Sequence, residues 1–170
     1  MLRFHRRLLP ADAPAYRDHL LRLSPDDRRW RFGGAVGDAW IADHAARLDY
    51  ARAILIGGFA GALLVGSALV IGGEMAVTTE AGHRRQGLGS ALVQAALTQA
   101  RNRGLAEVAI LYDPDNQAMA RLAARFARQR RLDQGMVEAR VPLDYPSPWS
   151  LAAEAVDEAI GGIAARLAAA

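Results

Sequence analysis

The run HRRQGLGSAL, residues 83–92, sets Arg84 and Arg85 ahead of Gly87 and Gly89 and then enters a helical pattern. That spacing suits anion binding. The first turn of a helix has backbone N–H groups without partners and carries roughly half a positive elementary charge, so phosphates sit there readily. Glycine brings that backbone close to a ligand, and two guanidinium groups add attraction and bidentate bonding. A phosphate or pyrophosphate is the expected ligand. Two familiar nucleotide loops do not fit: Leu92 stands where G-x-G-x-x-G needs its third glycine, and G-x-x-x-x-G-K-S/T needs a lysine that the chain lacks.

Other chemistries are narrower. The absence of cysteine excludes disulfides, thiolate metal sites and a thiol nucleophile. His5, His19 and His44 show no metal-ligand spacing, so no metal is expected, and His83, just ahead of the loop, either approaches a phosphate or is a surface-loop residue. All 21 of the lysine-plus-arginine total are arginine, for a net charge of +3. They are spread along the chain rather than gathered on one face with aromatics, which argues against nucleic acid.

The elements that position the loop follow from periodicity. A helix is expected over LPADAPAYRDHLLRLS with Asp12 as N-cap. A second begins at Ser24 and Pro25 with Asp27 three after the cap, and a third covers residues 39–48 behind Asp38. Residues 53–73 hold no charge and are long enough for a membrane helix, but six glycines divide them into β-rich pieces at 53–56, 63–65 and 67–71. Buried strands joined by glycine turns are expected, with no membrane span. EMAVTTE is a further strand, and after the loop Leu88, Leu92, Ala95 and Ala96 recur at helical period up to Gly104. A strand at 106–112, a helix over NQAMARLAARFARQRR and a strand MVEARVPL complete the alternation, and a helix over 149–169 follows. The chain reads as one mixed α+β domain over residues 1–145 with a C-terminal helical extension, 146–170. The start, MLRFHRRLLPADA, does not read as a secretory signal, so a cytoplasmic location is expected.

RRQGLG, residues 84–89, resembles the Q/R-x-x-G-x-G/A motif of the GNAT-type N-acetyltransferases, whose loop and helix N-terminus hold the pyrophosphate of acetyl-CoA. The strand ahead, the helix after it, the strand EVAILYD and then Asn116 opening NQAMARLAARF resemble the family's next block, so the likeness covers about residues 63–143. LSPDDRRWRF and GEMAV are similar to the acetyltransferase domain of bacterial protein lysine acetyltransferases.

The resemblance implies a mostly antiparallel central sheet with helices on both faces, and acetyl-CoA as donor to a primary amine, either a protein lysine or a small molecule. It implies cofactor contacts from the backbone of Val77, Thr78 and Thr79 and from Arg84, Arg85, Gln86, Gly87, Leu88, Gly89 and Ser90. Asn116 either bonds the cofactor arm or caps its helix, and Trp30, Arg31 and Phe32 either wall the acceptor pocket or pack in the core. Glu74, the only ionisable residue between Arg52 and Glu80, is the expected base, the other reading being a strand-edge residue that faces solvent after the Gly-Gly turn. Many relatives place a general-acid tyrosine where this chain has Ala123, so the acid is unassigned: either the coenzyme A thiolate leaves unassisted or Tyr112 substitutes, the other reading of Tyr112 being a strand residue with its ring in the core. A catalytically silent CoA sensor is the alternative. The apolar stripe Leu151, Val156, Ile160, Ile163 and Leu167 either caps the domain or pairs two subunits.

Overall fold

The computed structural model describes residues 3–169. Seven strands form one sheet in the order β1-β2-β3-β4-β5-β7-β6. They are β1 Arg3–Arg7, β2 Ile54–Ala60, β3 Leu63–Ile71, β4 Glu74–Thr79, β5 Glu107–Tyr112, β6 Gln129–Asp133 and β7 Met136–Pro142. All neighbours are antiparallel except β4 and β5. The helices are α1 Ala13–Leu21, α2 Pro25–Phe32, α3 Asp38–Ala46, α4 Leu88–Asn102, α5 Gln117–Ala123 and α6 Pro148–Ala169. This is the expected mostly antiparallel α+β sheet with helices on both faces.

Side-chain alternation along β2 and β3 feeds two separate cores. Ile54, Ile56, Ala68 and Val70 face α4 with Leu92, Val93 and Ala96, whereas Leu55, Phe59, Leu64 and Leu69 face α1 and α3 with Tyr16, Leu20 and Ile41. Strands buried on both faces read as unbroken apolar runs, which is why 53–73 has the length of a membrane segment. Among the described residues no helix is long and apolar enough to cross a membrane. Each large aliphatic side chain buried here stabilises the fold by about 1.5–3 kcal/mol.

Several local expectations are corrected. Gly57, Gly58 and Gly66 do not end strands; they lie within β2 and β3. A Cβ on Gly57 would come within 2.5 Å of Leu8 Cδ2, and one on Gly58 within 2.7 Å of Leu88 Cδ1, so these glycines admit neighbouring side chains to the sheet surface. The turn between β2 and β3 is made at Gly61, with φ +59°. Asp12 does not cap α1 by its side chain. It instead accepts the Leu9 N–H at 2.8 Å and two bonds from Arg6. The cap of α3 is Gly37, and Asp38 pairs with Arg28 at 2.6 Å. Ser24 does cap α2, accepting the Asp27 N–H at 3.2 Å.

The expected helix beyond Asn116 is shorter: α5 ends at Ala123, and QRRLD forms the exposed edge strand β6, hairpinned to β7 through Gln134 and Gly135, both with positive φ. The strand β1 escapes a periodicity reading because RFHRR carries one large apolar residue among charged ones. The C-terminal helix α6 packs on β1 and α4 through small residues, with Gly161 and Ala164 facing in. A Cβ on Gly161 would lie 2.6 Å from the His5 carbonyl oxygen. The stripe from Leu151 to Leu167 points outward.

Candidate functional site

Strands β4 and β5 pair at only two positions, Glu74 with Ala109 and Met75 with Ile110, and then part. The gap opens a cleft of about 640 Å³, within the range of small-molecule sites. Along β4, Glu80 gives its N–H to the Val65 carbonyl on the β3 side, while the Gly73 carbonyl accepts from Ala109 on the β5 side. Backbone groups alternate along a strand, so those of Val77 and Thr79 turn toward the cleft. Thr79 spends its carbonyl on Arg84 Nε at 2.8 Å, and the backbone of Val77 stays open to a ligand.

At the mouth of this gap α4 begins. Its first intrahelical bond runs from Ala91 N–H to the Gly87 carbonyl, and no side chain caps it. The first-turn N–H groups thus have no intrahelical partner and open on the cleft. The loop reaches this geometry through two left-handed residues, Arg85 at φ +61° and Gly87 at φ +83°. Gly87 needs glycine for its backbone conformation. Gly89 has ordinary φ, and a Cβ there would meet Thr79 Oγ1 and Leu122 no nearer than 3.6 Å.

The arginines divide into two groups. Arg84 is committed to the protein: besides Thr79 it pairs with Asp27 at 2.6 Å, pinning α2 to the loop. Arg125 donates to Ser90 Oγ at 2.9 Å. Arg85 and Arg121 line the cleft and have no ion-pair or hydrogen-bond partner among the described residues, so they offer cationic charge to a ligand. Two buried ring nitrogens in the same wall, Trp30 Nε1 and His83 Nδ1, also lack partners. Such atoms are costly unless a ligand or water meets them. An uncapped helix start, open backbone and unspent cations fit a phosphorylated thioester donor.

Of the expected contacts, Val77, Thr78, Thr79, Arg84, Arg85, Gly87, Leu88, Gly89, Ser90 and Asn116 are assembled on the cleft. Gln86 is exposed and lies outside the lining. Asn116 caps α5, its Oδ1 accepting the Met119 N–H at 3.0 Å, and also lines the cleft. Glu74 is not brought to the lining. It is exposed beside the Gly72–Gly73 turn on the paired end of β4, five residues or roughly 17 Å of strand from Thr79. Trp30 and Arg31 wall the cleft from α2, whereas Phe32 packs with Trp40 and His44. Tyr112 both lines the cleft and belongs to the core. Among the described residues no group of three histidine or acidic side chains could hold a metal ion.

One polar cluster was not legible beforehand. His19 of α1 is fully buried, with Nδ1 2.9 Å from Glu80 Oε1 and Nε2 2.8 Å from Thr78 Oγ1. Thr78 Oγ1 is also 2.8 Å from Ser67 Oγ, and Arg22 donates to Glu80 from Nε and Nη2 at 3.1 and 2.9 Å. Burial is the main influence on His19 and holds its imidazole below the ordinary range against the pull of Glu80. Burial pushes the Glu80 carboxyl up, but hydrogen bonds and charge from His19 and Arg22 outweigh it and keep the group ionised.

Comparison with known proteins gives a family. Residues 10–127 match the model of the Acetyltransferase (GNAT) family. A search of curated sequences returns no match. Among solved structures, the GNAT domain of S. lividans PAT is similar with TM-score 0.69 and 18% identity over 82% of this chain and 89% of that one. The PaiA N-acetyltransferase of Thermoplasma acidophilum, solved with coenzyme A, aligns with TM-score 0.63 and 15% identity over 84% and 99% of the two chains. The ribosomal-protein-S18-alanine N-acetyltransferase of Escherichia coli aligns with TM-score 0.61 and 16% identity over 86% and 97%.

Proposed function

The chain belongs to the GNAT family of acetyltransferases, with acetyl-CoA as acyl donor, and from that premise we propose that it acetylates a primary amine by direct attack in a ternary complex. The acceptor is a protein lysine or a small-molecule amine. The observation that carries this reading is the convergence of the uncapped α4 start and the open Val77 backbone on one cleft.

Bound there, acetyl-CoA supplies an electrophilic thioester carbonyl. The first-turn N–H groups of α4, with Arg85 and Arg121, hold the anionic end. The Val77 N–H is aimed at the side of β4 where a carbonyl oxygen would gain charge, which is the role of a preorganised oxyanion donor. Asn116 stands where it can steady the arm between. The acceptor enters from the α1 and α2 side, past Trp30 and Arg31.

Thiol release measured with acetyl-CoA and a panel of amines tests the reading. Turnover with a lysine peptide or a small primary amine supports it; tight acetyl-CoA binding without turnover on any amine would instead support a sensor. The outward stripe on α6 supports pairing with a second copy, and a mass in solution that stays monomeric as concentration rises would remove that part.

A further inference from the structure

We propose that Glu80, His19 and Thr78 form a carboxylate–imidazole–hydroxyl relay that takes the proton from the attacking amine and delivers it to the leaving thiolate. The inference rests on the amine acyl transfer proposed above. Glu80 is held as an acceptor by Arg22, so the contact at 2.9 Å makes His19 Nδ1 the donor. His19 Nε2 then carries a lone pair and accepts the Thr78 hydroxyl hydrogen at 2.8 Å. With its own hydrogen so used, Thr78 Oγ1 accepts from Ser67 Oγ at 2.8 Å and keeps one lone pair.

The relay ends at the reacting end of the cleft. Thr78 lines it and directly follows Val77, whose backbone faces the gap between β4 and β5. It supplies the proton-accepting role expected of Glu74, which is outside the lining, and it acts beside Tyr112, which lines the cleft with its ring in the core. As the amine nitrogen bonds to the thioester carbonyl carbon and the C–S bond breaks, one N–H proton passes to Thr78 Oγ1 while the Thr78 proton moves to His19 Nε2. The imidazolium beside Glu80 returns the proton through the same hydroxyl to the departing sulfur. The products are amide and thiol, with no net proton taken up. Thr78 alone touches the substrate; His19 and Glu80 act through it as positioning residues.

The charged groups facing His19 are Glu80 beyond β4, Arg22 after α1 and Arg31 on α2, with Thr78 and Ser67 as neutral neighbours. Nitrogen NMR of the wild-type imidazole reads the tautomer without any substitution: protonated Nδ1 and bare Nε2 at neutral pH are expected, and a proton on Nε2 with Nδ1 bare overturns the relay. In kinetics, Thr78→Val should lower kcat by about a hundred- to ten-thousand-fold while acetyl-CoA affinity is kept, and Thr78→Ser should restore most of it. The acid limb of the wild-type kcat profile should lie below pH ~6.5 and vanish in His19→Gln. Wild-type turnover matched by Thr78→Val sinks the relay and leaves the amine transfer intact. A wild type silent toward every amine sinks both.

Discussion

The two walls of the β4–β5 cleft are built by opposite means. On the α4 side the working groups are backbone N–H groups exposed by an uncapped helix start, supplied by consecutive residues 87–90. On the α1 side one lining side chain, Thr78, is backed by His19, Ser67 and Glu80 behind the wall, the four drawn from three elements and a loop and joined by hydrogen bonds spanning up to 61 positions. The first wall needs a conformation, and glycine provides it. The second needs four side chains held by a folded core, so its cost of disruption falls on stability as well as on chemistry.

Breaking the side-chain wall should give the larger effect. Glu80→Ala leaves His19 Nδ1 without its acceptor and Arg22 with only the Leu64 carbonyl, and unfolding free energy should fall by about 2–3 kcal/mol, with acetyl-CoA affinity little changed. Chemical denaturation beside calorimetric titration separates the two quantities. Gly87→Val should reverse the pattern: a β-branched residue at φ +83° costs roughly 1–2 kcal/mol, most of it read as about tenfold weaker acetyl-CoA binding because the N–H groups lose their alignment.

Acid sharpens the contrast further. The fold holds His19 neutral, so below pH ~6.5 the unfolded chain binds the proton first, and stability drops as pH falls through the lowered folded value. Glu80 is held ionised, so its contribution is present at neutral pH and lost in the same direction at lower pH. The His19 slope is at most one proton, ~1.4 kcal/mol per pH unit, and melting curves between pH 7 and 5 should lose it in His19→Gln. The smallest effect belongs to Arg84→Ala. Its pair with Asp27 is partly exposed, so stability should change by less than about 1 kcal/mol. Acetyl-CoA affinity should change less than in Arg121→Ala.

The same division explains what could be read in the chain. The donor wall is local: RRQGLG, the glycines and the helical period after them are contiguous, and six of the seven residues 84–90 meet at the cleft, all but Gln86. Gln86 was beyond reach because the loop turns it outward, a direction set by the left-handed Arg85. For Glu74 the strand was legible but the point at which β4 leaves β5, which sets its distance from the cleft, was not. His19 shows in the sequence only a lack of metal-ligand spacing, and packing of α1 against the sheet brings it to Thr78. The strands β1 and β6 lie at sheet edges and carry charges, so they have no hydrophobic alternation to betray them.

Thermal unfolding with and without acetyl-CoA, in the wild type and in Gly89→Arg, tests the central claim most directly. Gly89 borders Thr79 and Leu122, and an arginine there would fill the mouth of the cleft. The wild-type melting temperature should rise with acetyl-CoA as ligand linkage requires, by about 2.7 kcal/mol of stability at a hundred times Kd, and the folded variant should show no rise. A wild type whose melting curve ignores millimolar acetyl-CoA, or a variant stabilised as much as the wild type, would contradict the assignment of this cleft.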